Sequence, residues 1–204
     1  MTDHKERQAL HIGRTAMEQA AAQGLAAVTM SRLATTAGVS RATLYNYFPD
    51  VEAAITYYLV AQAKEFHRRL ASAVEREPTA WRKLECYVRE HVNYVAEDDH
   101  RSAAAAMETG AVSPRVGEKL GEHLAGPRTL LAEILGNGRA DGSFGDSLDV
   151  DATTALIQSM LHAAHDLLAH GGRSVEQTNA AVVRLLDNGV RPAKPGGRPT
   201  ANRR

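Results

Sequence analysis

Two short helical patterns separated by a single glycine, within residues 29–52, constrain the fold of this chain more than any other feature. In the first pattern, apolar residues recur at a four-residue spacing that starts at Leu33. Gly38 follows where the backbone must reverse, a position that favours a residue tolerant of positive φ. The second pattern places Leu44 and Phe48 on one inner face. The segment therefore predicts two short helices joined by a tight turn.

Both short helices have residues that can cap their first turns. Thr29 and Ser40 precede the two patterns, and each hydroxyl can accept a hydrogen bond from a backbone N–H of the first turn. Outside its apolar face, the second helix carries Tyr45, Asn46 and Tyr47 rather than the Lys and Glu of an ordinary solvated surface. This layout is typical of a helix-turn-helix, whose second helix enters the major groove of DNA.

The segment resembles the DNA-binding domain of TetR-type transcriptional regulators. The residues that carry the resemblance are Thr29, Leu33-Ala34, Ala37-Gly38-Val39-Ser40, Thr43-Leu44-Tyr45 and Tyr47-Phe48. Residues 5–22 add an amphipathic first helix that Gly24 terminates. The resemblance is specific over residues 1–55 and architectural beyond them. It implies an all-α chain, with a three-helix helix-turn-helix head followed by a helical domain for ligand binding and dimerisation.

The resemblance also implies which residues contact DNA. In the family, the positions of Thr43, Tyr45 and Tyr47 touch DNA, and the start of the recognition helix reads bases. The predicted DNA-binding residues are Thr29, Arg32, Ser40, Arg41, Ala42, Thr43, Tyr45, Asn46 and Tyr47. Two positions depart from the family pattern. Val51 stands where a lysine usually contacts phosphate, and Ala42 replaces a common glycine with a methyl group that could meet a thymine methyl.

The charge distribution predicts only a modest non-specific attraction to DNA. The chain has 24 basic and 24 acidic side chains. Residues 1–50 hold five basic and four acidic ones, residues 51–188 hold 14 and 20, and residues 189–204 hold five and none. The last segment has the composition of a disordered basic tail. Such a tail either lies along phosphates or serves as a solubilising terminus, and we favour the second interpretation.

Several classes of protein are disfavoured by the sequence. No apolar stretch reaches the ~18 residues needed to cross a membrane, and the polar N-terminus is not that of a signal peptide. The single cysteine, Cys86, suits the cytoplasm. The sequence has no phosphate-binding Gly-x-x-x-x-Gly-Lys and no Gly-x-Ser-x-Gly nucleophile elbow. We therefore predict a cytoplasmic protein that is not an enzyme and that uses no cofactor.

Helical periodicity recurs through the rest of the chain, without a convincing strand pattern. After the three helices of the head, the sequence predicts helices at 50–75, 79–97, 100–109, 114–136, 150–170 and 174–188, which makes nine in all. The Gly-Asn-Gly and Asp-Gly-Ser-Phe-Gly stretches predict a turn-rich connection. The predicted domains are a DNA-binding head at 1–49, a ligand-binding and dimerisation domain at 50–188 and a tail at 189–204.

The last two predicted helices are apolar over a wide arc and must be covered on more than one side. This favours a four-helix bundle formed by two copies of the chain. The predicted interface residues are Leu156, Met160, Leu167, Val182 and Leu186. A homodimer also suits DNA recognition, because two heads roughly 34–36 Å apart reach successive major grooves of a palindromic operator.

The resemblance implies a pocket for a small-molecule inducer within the helical domain. Candidate lining residues are Tyr58, Trp81, Tyr87, His91, Tyr94, Met107, His123 and Met160. Aromatic and Met side chains at helical spacing are also what an ordinary core contains. A filled pocket would tilt the helix at 50–75, change the spacing of the heads and lower the affinity for the operator.

Nine histidines leave a metal-responsive alternative open. His162 and His165 lie one turn apart, and the side chains that could converge with them are Cys86, His91, Glu108 and His123. Because these residues are scattered and include no tight Cys-Cys or His-x-x-x-His pair, we predict no metal site.

Taken with the resemblance, the sequence predicts a transcriptional repressor that a ligand releases from its operator. The alternatives are a metal-responsive or activating regulator of the same architecture, or a helical dimer whose head has lost DNA binding.

Overall fold

The structure is a computed structural model that describes residues 2–97 and 114–191. All regular elements in these two ranges are helical, which confirms the predicted all-α class. The helices are α1 (Thr2–Gln23), α2 (Met30–Thr36), α3 (Arg41–Tyr47), α4 (Val51–Glu75), α5 (Ala80–Ala96), α6 (Pro114–Ala140), α7 (Val150–Ala169) and α8 (Val175–Val190). A short 3-10 turn, Leu25–Ala27, lies between α1 and α2. The helix predicted at 100–109 lies outside the described residues.

Short-range hydrogen bonds determine where the first helices begin. Thr29 and Ser40 each accept a hydrogen bond from the backbone N–H three residues later, at 3.2 and 3.0 Å. The Asp50 carboxylate caps α4 in the same way at 2.7 Å. Between α2 and α3, Gly38 takes a φ of +68°, a left-handed conformation that residues with a Cβ rarely adopt. The two caps and the glycine turn predicted from the sequence are therefore confirmed.

The first hydrophobic core joins α1, α2 and α3 to the beginning of α4. Ile12, Leu33 and Leu44 are fully buried in it, together with Ile55 of α4. One residue from the other half of the molecule, Val116 near the start of α6, is also buried in this core with 1% exposure. The first core therefore contains residues from both α4 and α6.

The second core is formed by the end of α4 with α5, α6, α7 and α8. Its fully or almost fully buried residues include Leu70, Leu84, Leu135 and Ile157. Helix α4 has 25 residues and a length of about 37 Å, so it contributes to the first core at one end and to the second core at the other. A single continuous helix thus connects the two halves of the molecule.

The glycine-rich connection differs from its prediction. Helix α6 continues through Gly136 and Gly138 to Ala140, so the Gly-Asn-Gly stretch is helical rather than part of a turn. A Cβ on Gly138 would lie 2.2 Å from the ring of Phe144, which is buried in the second core. The chain reverses four residues later, at Gly142, with a φ of +77°. Gly138 therefore permits close packing, and Gly142 makes the turn.

The C-terminal helix is longer than predicted. Helix α8 reaches Val190, which is buried and whose carbonyl accepts a hydrogen bond of 3.0 Å from the Gly145 N–H. The Arg191 guanidinium lies 4.3 Å from the centre of the Trp81 ring and pairs with Asp187. Residues 189–191, which were assigned to a disordered tail, therefore belong to the helical body. Residues 192–204 lie outside the described ranges.

Candidate nucleic-acid interface and effector region

The outer side of α3 forms the candidate DNA-reading surface. Leu44 points inward and is fully buried, whereas Tyr45 has an exposed fraction of 49%. The other exposed residues of this surface are Ser40, Arg41, Ala42 and Asn46. Thr43 is half-buried, and its hydroxyl oxygen lies 2.8 Å from that of Ser40. A short helix anchored by one buried leucine therefore presents a continuous row of polar and aromatic groups.

Helix α2 lies beside this surface and adds further polar groups. Thr29 and Arg32 are exposed, as predicted from the sequence. Ser31, Thr35 and Thr36 are exposed as well, although the sequence reasoning did not select them. The helical period that places Leu33 in the core also places Ser31 and Thr35 outward, so the exposure of these two could be predicted from the sequence, whereas Thr36 lies close to the side of Leu33.

Tyr47 is placed differently from the other aromatic candidate of α3. Its side chain is half-buried, and its hydroxyl donates a hydrogen bond of 3.4 Å to the Gln8 side-chain oxygen on α1. Its ring lies 6.3 Å from that of Phe48. Tyr47 thus holds α3 against α1, whereas Tyr45 points to solvent.

The charges of the head favour phosphate contacts at a few positions only. Arg32 and Arg41 are exposed, and neither has an ion-pair partner among the described residues. Val51, at the position where the family usually has a lysine, is 8% exposed and packs in the first core. Because Val51 points inward at the first turn of α4, no phosphate contact is available from its side chain.

Aromatic rings from α4 and α5 meet in the candidate effector region. Phe66 stacks on Tyr94, with 4.0 Å between ring centres and 13° between ring planes. His91 lies edge-on to Phe66 at 5.1 Å, and Tyr87 lies 5.6 Å from His91. We call these four residues the aromatic cluster. The sequence selected Tyr87, His91 and Tyr94 but missed Phe66, because nothing in the local pattern of α4 separates it from other core residues.

Tyr87 connects this cluster to α6. Its side chain is fully buried, and its hydroxyl donates a hydrogen bond of 3.1 Å to the backbone carbonyl of Pro127, inside α6. Burial raises the pKa of the Tyr87 hydroxyl well above its ordinary value of 10.0, because the phenolate would lose its hydration. One residue earlier, α6 approaches α4 so closely that a Cβ on Gly126 would lie 2.3 Å from the His67 ring.

The remaining pocket candidates do not join the aromatic cluster. Tyr58 is buried in the first core, and its hydroxyl lies 3.4 Å from the side-chain nitrogen of Gln62. Trp81 lies at the opposite end of α5, beneath Arg191. Met160 is half-buried on α7 and packs against the second core. Met107 and the side chain of His123 lie outside the described residues.

The metal-responsive alternative gains no support from the described part of the chain. Within it, no three His, Cys, Asp or Glu side chains are close enough together to hold a metal ion. His162 is exposed on α7, whereas His165 is buried on the same helix. Cys86 is buried and accepts a hydrogen bond of 3.2 Å from the Arg89 guanidinium. Burial raises the pKa of the Cys86 thiol, which therefore favours its protonated form.

Of the five residues predicted for a dimer interface, Met160 is half-buried and the other four fall into two groups. Leu156 and Leu167 of α7 are exposed, with fractions of 67% and 39%. Val182 and Leu186 of α8 are each 4% exposed, because they pack into the second core of their own chain. The exposed leucine of α8 is instead Leu185, at 62%. Any partner that covers α8 would therefore meet Leu185 rather than the two residues selected from the sequence.

Two protein-family models match this chain. Residues 12–53 match bacterial regulatory proteins of the tetR family, and residues 77–190 match the C-terminal domain of tetracyclin repressor-like proteins. The second match alone covers more than half of the 204 residues. The chain therefore belongs to the TetR family of transcriptional regulators. This confirms the predicted function, a DNA-binding transcriptional repressor that responds to a small ligand.

The similar proteins include regulators of fatty acid metabolism. The fatty acid metabolism regulator protein of Bacillus subtilis is 26% identical over 142 residues, which are 70% of this chain and 73% of that protein. The fatty acid degradation regulator FadR from Bacillus halodurans has a TM-score of 0.77 and 23% identity, over 91% of this chain and 97% of that one. FadR from Bacillus subtilis in complex with stearoyl-CoA has a TM-score of 0.74 and 23% identity, over 86% and 96%. At these identities the structural similarity shows the shared fold.

The matched families and the named relatives are transcriptional regulators rather than enzymes. Regulators of this family bind operator DNA and small ligands, usually as dimers. Among the described helices, none has the length and apolar character that a membrane crossing requires.

Proposed function

We propose that this protein is a cytoplasmic homodimeric repressor that releases a palindromic operator when a long-chain acyl thioester of coenzyme A binds its helical body. The observation that carries the proposal is α4, which packs the DNA-reading head at one end and holds Phe66 of the aromatic cluster at the other. The class of ligand is supported by the relative that regulates fatty acid metabolism and by the similar fold solved with stearoyl-CoA. We infer a head over residues 1–49 and a body that extends from 50 to at least Val190.

Three side chains of α3 are proposed to read bases. Asn46 can form two hydrogen bonds with one adenine, and the Ala42 methyl group can contact a thymine methyl. Tyr45 is exposed at 49% and is the largest of the three side chains. Arg32 and Arg41 are proposed to contact phosphates, which fix the orientation of α3 without specifying sequence.

The proposed release mechanism depends on two contacts between the body and the head. Ile55 of α4 and Val116 of α6 are both buried in the first core. A ligand that separates α6 from α4 and α5 would break the Tyr87–Pro127 hydrogen bond and the close contact between Gly126 and His67. Movement of α4 and α6 would then change the position of the head. The ligand lowers operator affinity only by as much as it favours this second arrangement.

Operator binding by point variants tests the DNA-reading surface. An operator selected from random DNA is titrated with the wild type and with Tyr45→Ala and Asn46→Ala. We expect each variant to bind more weakly by about 1–3 kcal/mol if its side chain makes a direct base contact. Asn188→Ala, on the exposed side of α8, is the matched control and should bind like the wild type. Unchanged affinity in both head variants would exclude Tyr45 and Asn46 as base contacts, and a wild type that selects no operator at all would support a dimer that has lost DNA binding.

The effector is tested separately on the complex of wild-type protein with its operator. Stearoyl-CoA, free coenzyme A and stearate are added in turn, and the fraction of bound DNA is measured. We expect stearoyl-CoA to release the operator and stearate alone to have little effect. If no acyl-CoA of any chain length releases the DNA, the acyl-CoA proposal is wrong, although the DNA-binding assignment stands.

A further inference from the structure

A concave region lies along the seam between α4 and α5. Its volume is about 480 Å³, and we call it the arginine groove because four arginines line it: Arg68 and Arg69 from α4, Arg76 just after its end, and Arg89 from α5. Its lining includes only two carboxylates, those of Glu77 and Glu90. Cys86, which is 1% exposed, also lines the groove. A small cavity with this excess of guanidinium groups is suited to a ligand that carries several negative charges.

Two of the arginines are held by carboxylates at the edge of the groove. Arg68 pairs with Glu65 on its own helix at 2.6 Å. Arg69 pairs with Glu97 across the seam at 3.2 Å, and both of these side chains are more than two-fifths exposed. Exposed ion pairs of this kind contribute little free energy, so the guanidinium groups can exchange a carboxylate for another anion at small cost.

The other two arginines have partners that leave several of their N–H groups unused. Arg76 donates a hydrogen bond of 2.9 Å to the Ser72 hydroxyl and has no carboxylate partner among the described residues. Arg89 donates to the Cys86 sulfur at 3.2 Å and lies 3.3 Å from the carboxylate of its sequence neighbour, Glu90. Both therefore retain N–H donors that a phosphate can use, and a guanidinium can bind two phosphate oxygens at once.

The arginine groove and the aromatic cluster are formed by the same two helices. Arg69 lies one helical turn after Phe66 on α4, and on α5 the cluster residue Tyr87 lies between the groove residues Cys86 and Arg89. Apolar rings and guanidinium groups are therefore neighbours along the same pair of helices. This combination suits a ligand with an apolar chain at one end and phosphate groups at the other.

We propose that the arginine groove binds the phosphate groups of the effector's nucleotide portion, an inference that rests on the acyl-CoA function proposed above for the identity of that ligand. Arg76 and Arg89 supply the decisive contacts, because Arg76 has no carboxylate partner among the described residues and Arg89 reaches the groove from the other helix, so the two hold the phosphates from both sides of the seam. The aromatic cluster then receives the apolar chain, and ligands without phosphate lose the contacts with the groove.

Direct binding of free coenzyme A tests the groove independently of DNA release. Calorimetric titration is done with the wild type, with the double variant Arg76→Gln/Arg89→Gln and with Arg173→Gln, an exposed arginine between α7 and α8, as the matched control. We expect each groove substitution to weaken binding about tenfold, as for a lost hydrogen bond between charged groups. Arg173→Gln should bind like the wild type. Pyrophosphate should compete with coenzyme A, and added salt should weaken binding.

The possible results separate the two proposals. Failure of free coenzyme A to bind the wild type, or equal binding by the double variant, overturns the arginine groove as a phosphate site. If coenzyme A binds through Arg76 and Arg89 but no acyl-CoA releases the operator, the groove is supported and the proposed effector is wrong. Loss of the stearoyl-CoA response in the double variant, with operator affinity unchanged in the absence of ligand, supports both.

Discussion

At the scale of single residues, Tyr87 combines complete burial with a hydrogen bond to a neighbouring helix. It is fully buried, and its hydroxyl reaches a backbone carbonyl of another helix, that of Pro127. Burial disfavours the phenolate because no water remains to solvate it, and ionisation would also remove the proton that forms the hydrogen bond. The side chain is therefore both a packing element and a link between α5 and α6.

We expect Tyr87→Phe to lower the free energy of unfolding by about 1 kcal/mol at neutral pH, because the buried carbonyl loses its donor. The folded pKa of Tyr87 is raised above its ordinary value of 10.0, so its protonated form stabilises the fold fully below that pH. The wild type should therefore lose stability as the pH rises above 10.0, and the variant should show a shallower loss. Urea unfolding at several pH values measures both effects.

Tyr45→Phe is the control for this experiment, since it removes an exposed hydroxyl from the same type of residue. It should leave stability at neutral pH nearly unchanged. The same alkaline slope in Tyr87→Phe and in the wild type would contradict the assignment of that slope to Tyr87.

At the scale of secondary-structure elements, the end of α6 shows that a glycine in a helix can serve packing rather than chain reversal. Gly136 and Gly138 belong to the same helical turn but have different surroundings. A Cβ at Gly136 would meet no atom within 4 Å, whereas one at Gly138 would lie 2.2 Å from the Phe144 ring and 2.9 Å from the Ala80 Cβ. Only the second glycine is required by the contact between α6 and its neighbours.

Alanine substitutions at these two glycines should have opposite effects. We expect Gly138→Ala to destabilise the protein by about 1–3 kcal/mol, because the buried Phe144 ring must move. Gly136→Ala should stabilise it by up to about 1 kcal/mol, since alanine has the higher helix propensity. Thermal and urea unfolding of the two variants measure the difference. A destabilisation of similar size in both would show that the Phe144 contact is not the cause.

At the scale of the whole molecule, several leucines of α7 and α8 remain exposed to solvent in a single chain. Leu156 and Leu185 have exposed fractions of 67% and 62%, although they lie on helices whose other faces form the second core. Regulators of this family usually work as dimers. We infer that these two leucines lie in the interface between two copies of the chain.

Leu185→Glu should therefore separate the dimer, because it would place a charge in an apolar interface. We expect light scattering to show monomers, and operator affinity to fall because each head then binds its half-site alone. Ala180→Glu, exposed about 140° around α8 from Leu185, is the matched control and should remain dimeric. A dimeric Leu185→Glu protein would exclude α8 from the interface.

A substitution at Leu186, next to Leu185, distinguishes an effect on folding from an effect on dimer formation. Leu186 is buried in its own chain, so Leu186→Ala should lower the free energy of unfolding by about 2–5 kcal/mol and leave a cavity in the second core. Among the molecules that remain folded, it should still permit dimer formation.

Much of the head could be predicted from the sequence, because its determinants act over three or four residues. The caps at Thr29 and Ser40, the turn at Gly38 and the inward position of Leu44 all depend on local backbone geometry and helical period. The same locality explains why the motif identified the protein family. The outward row on α3 follows once the inward residue is known.

Only the tertiary structure decided which apolar or aromatic residues contact one another. Helical period cannot distinguish Leu185 from Leu186, or Gly136 from Gly138, because the difference depends on which neighbouring helix lies across the contact. The same holds for the stacking of Phe66 on Tyr94 and for the inward position of Tyr47. The sequence by itself therefore determined the family and the outward face of α3, through local interactions. The aromatic cluster and the exposed leucines of α7 and α8 were decided by packing between residues far apart in the chain.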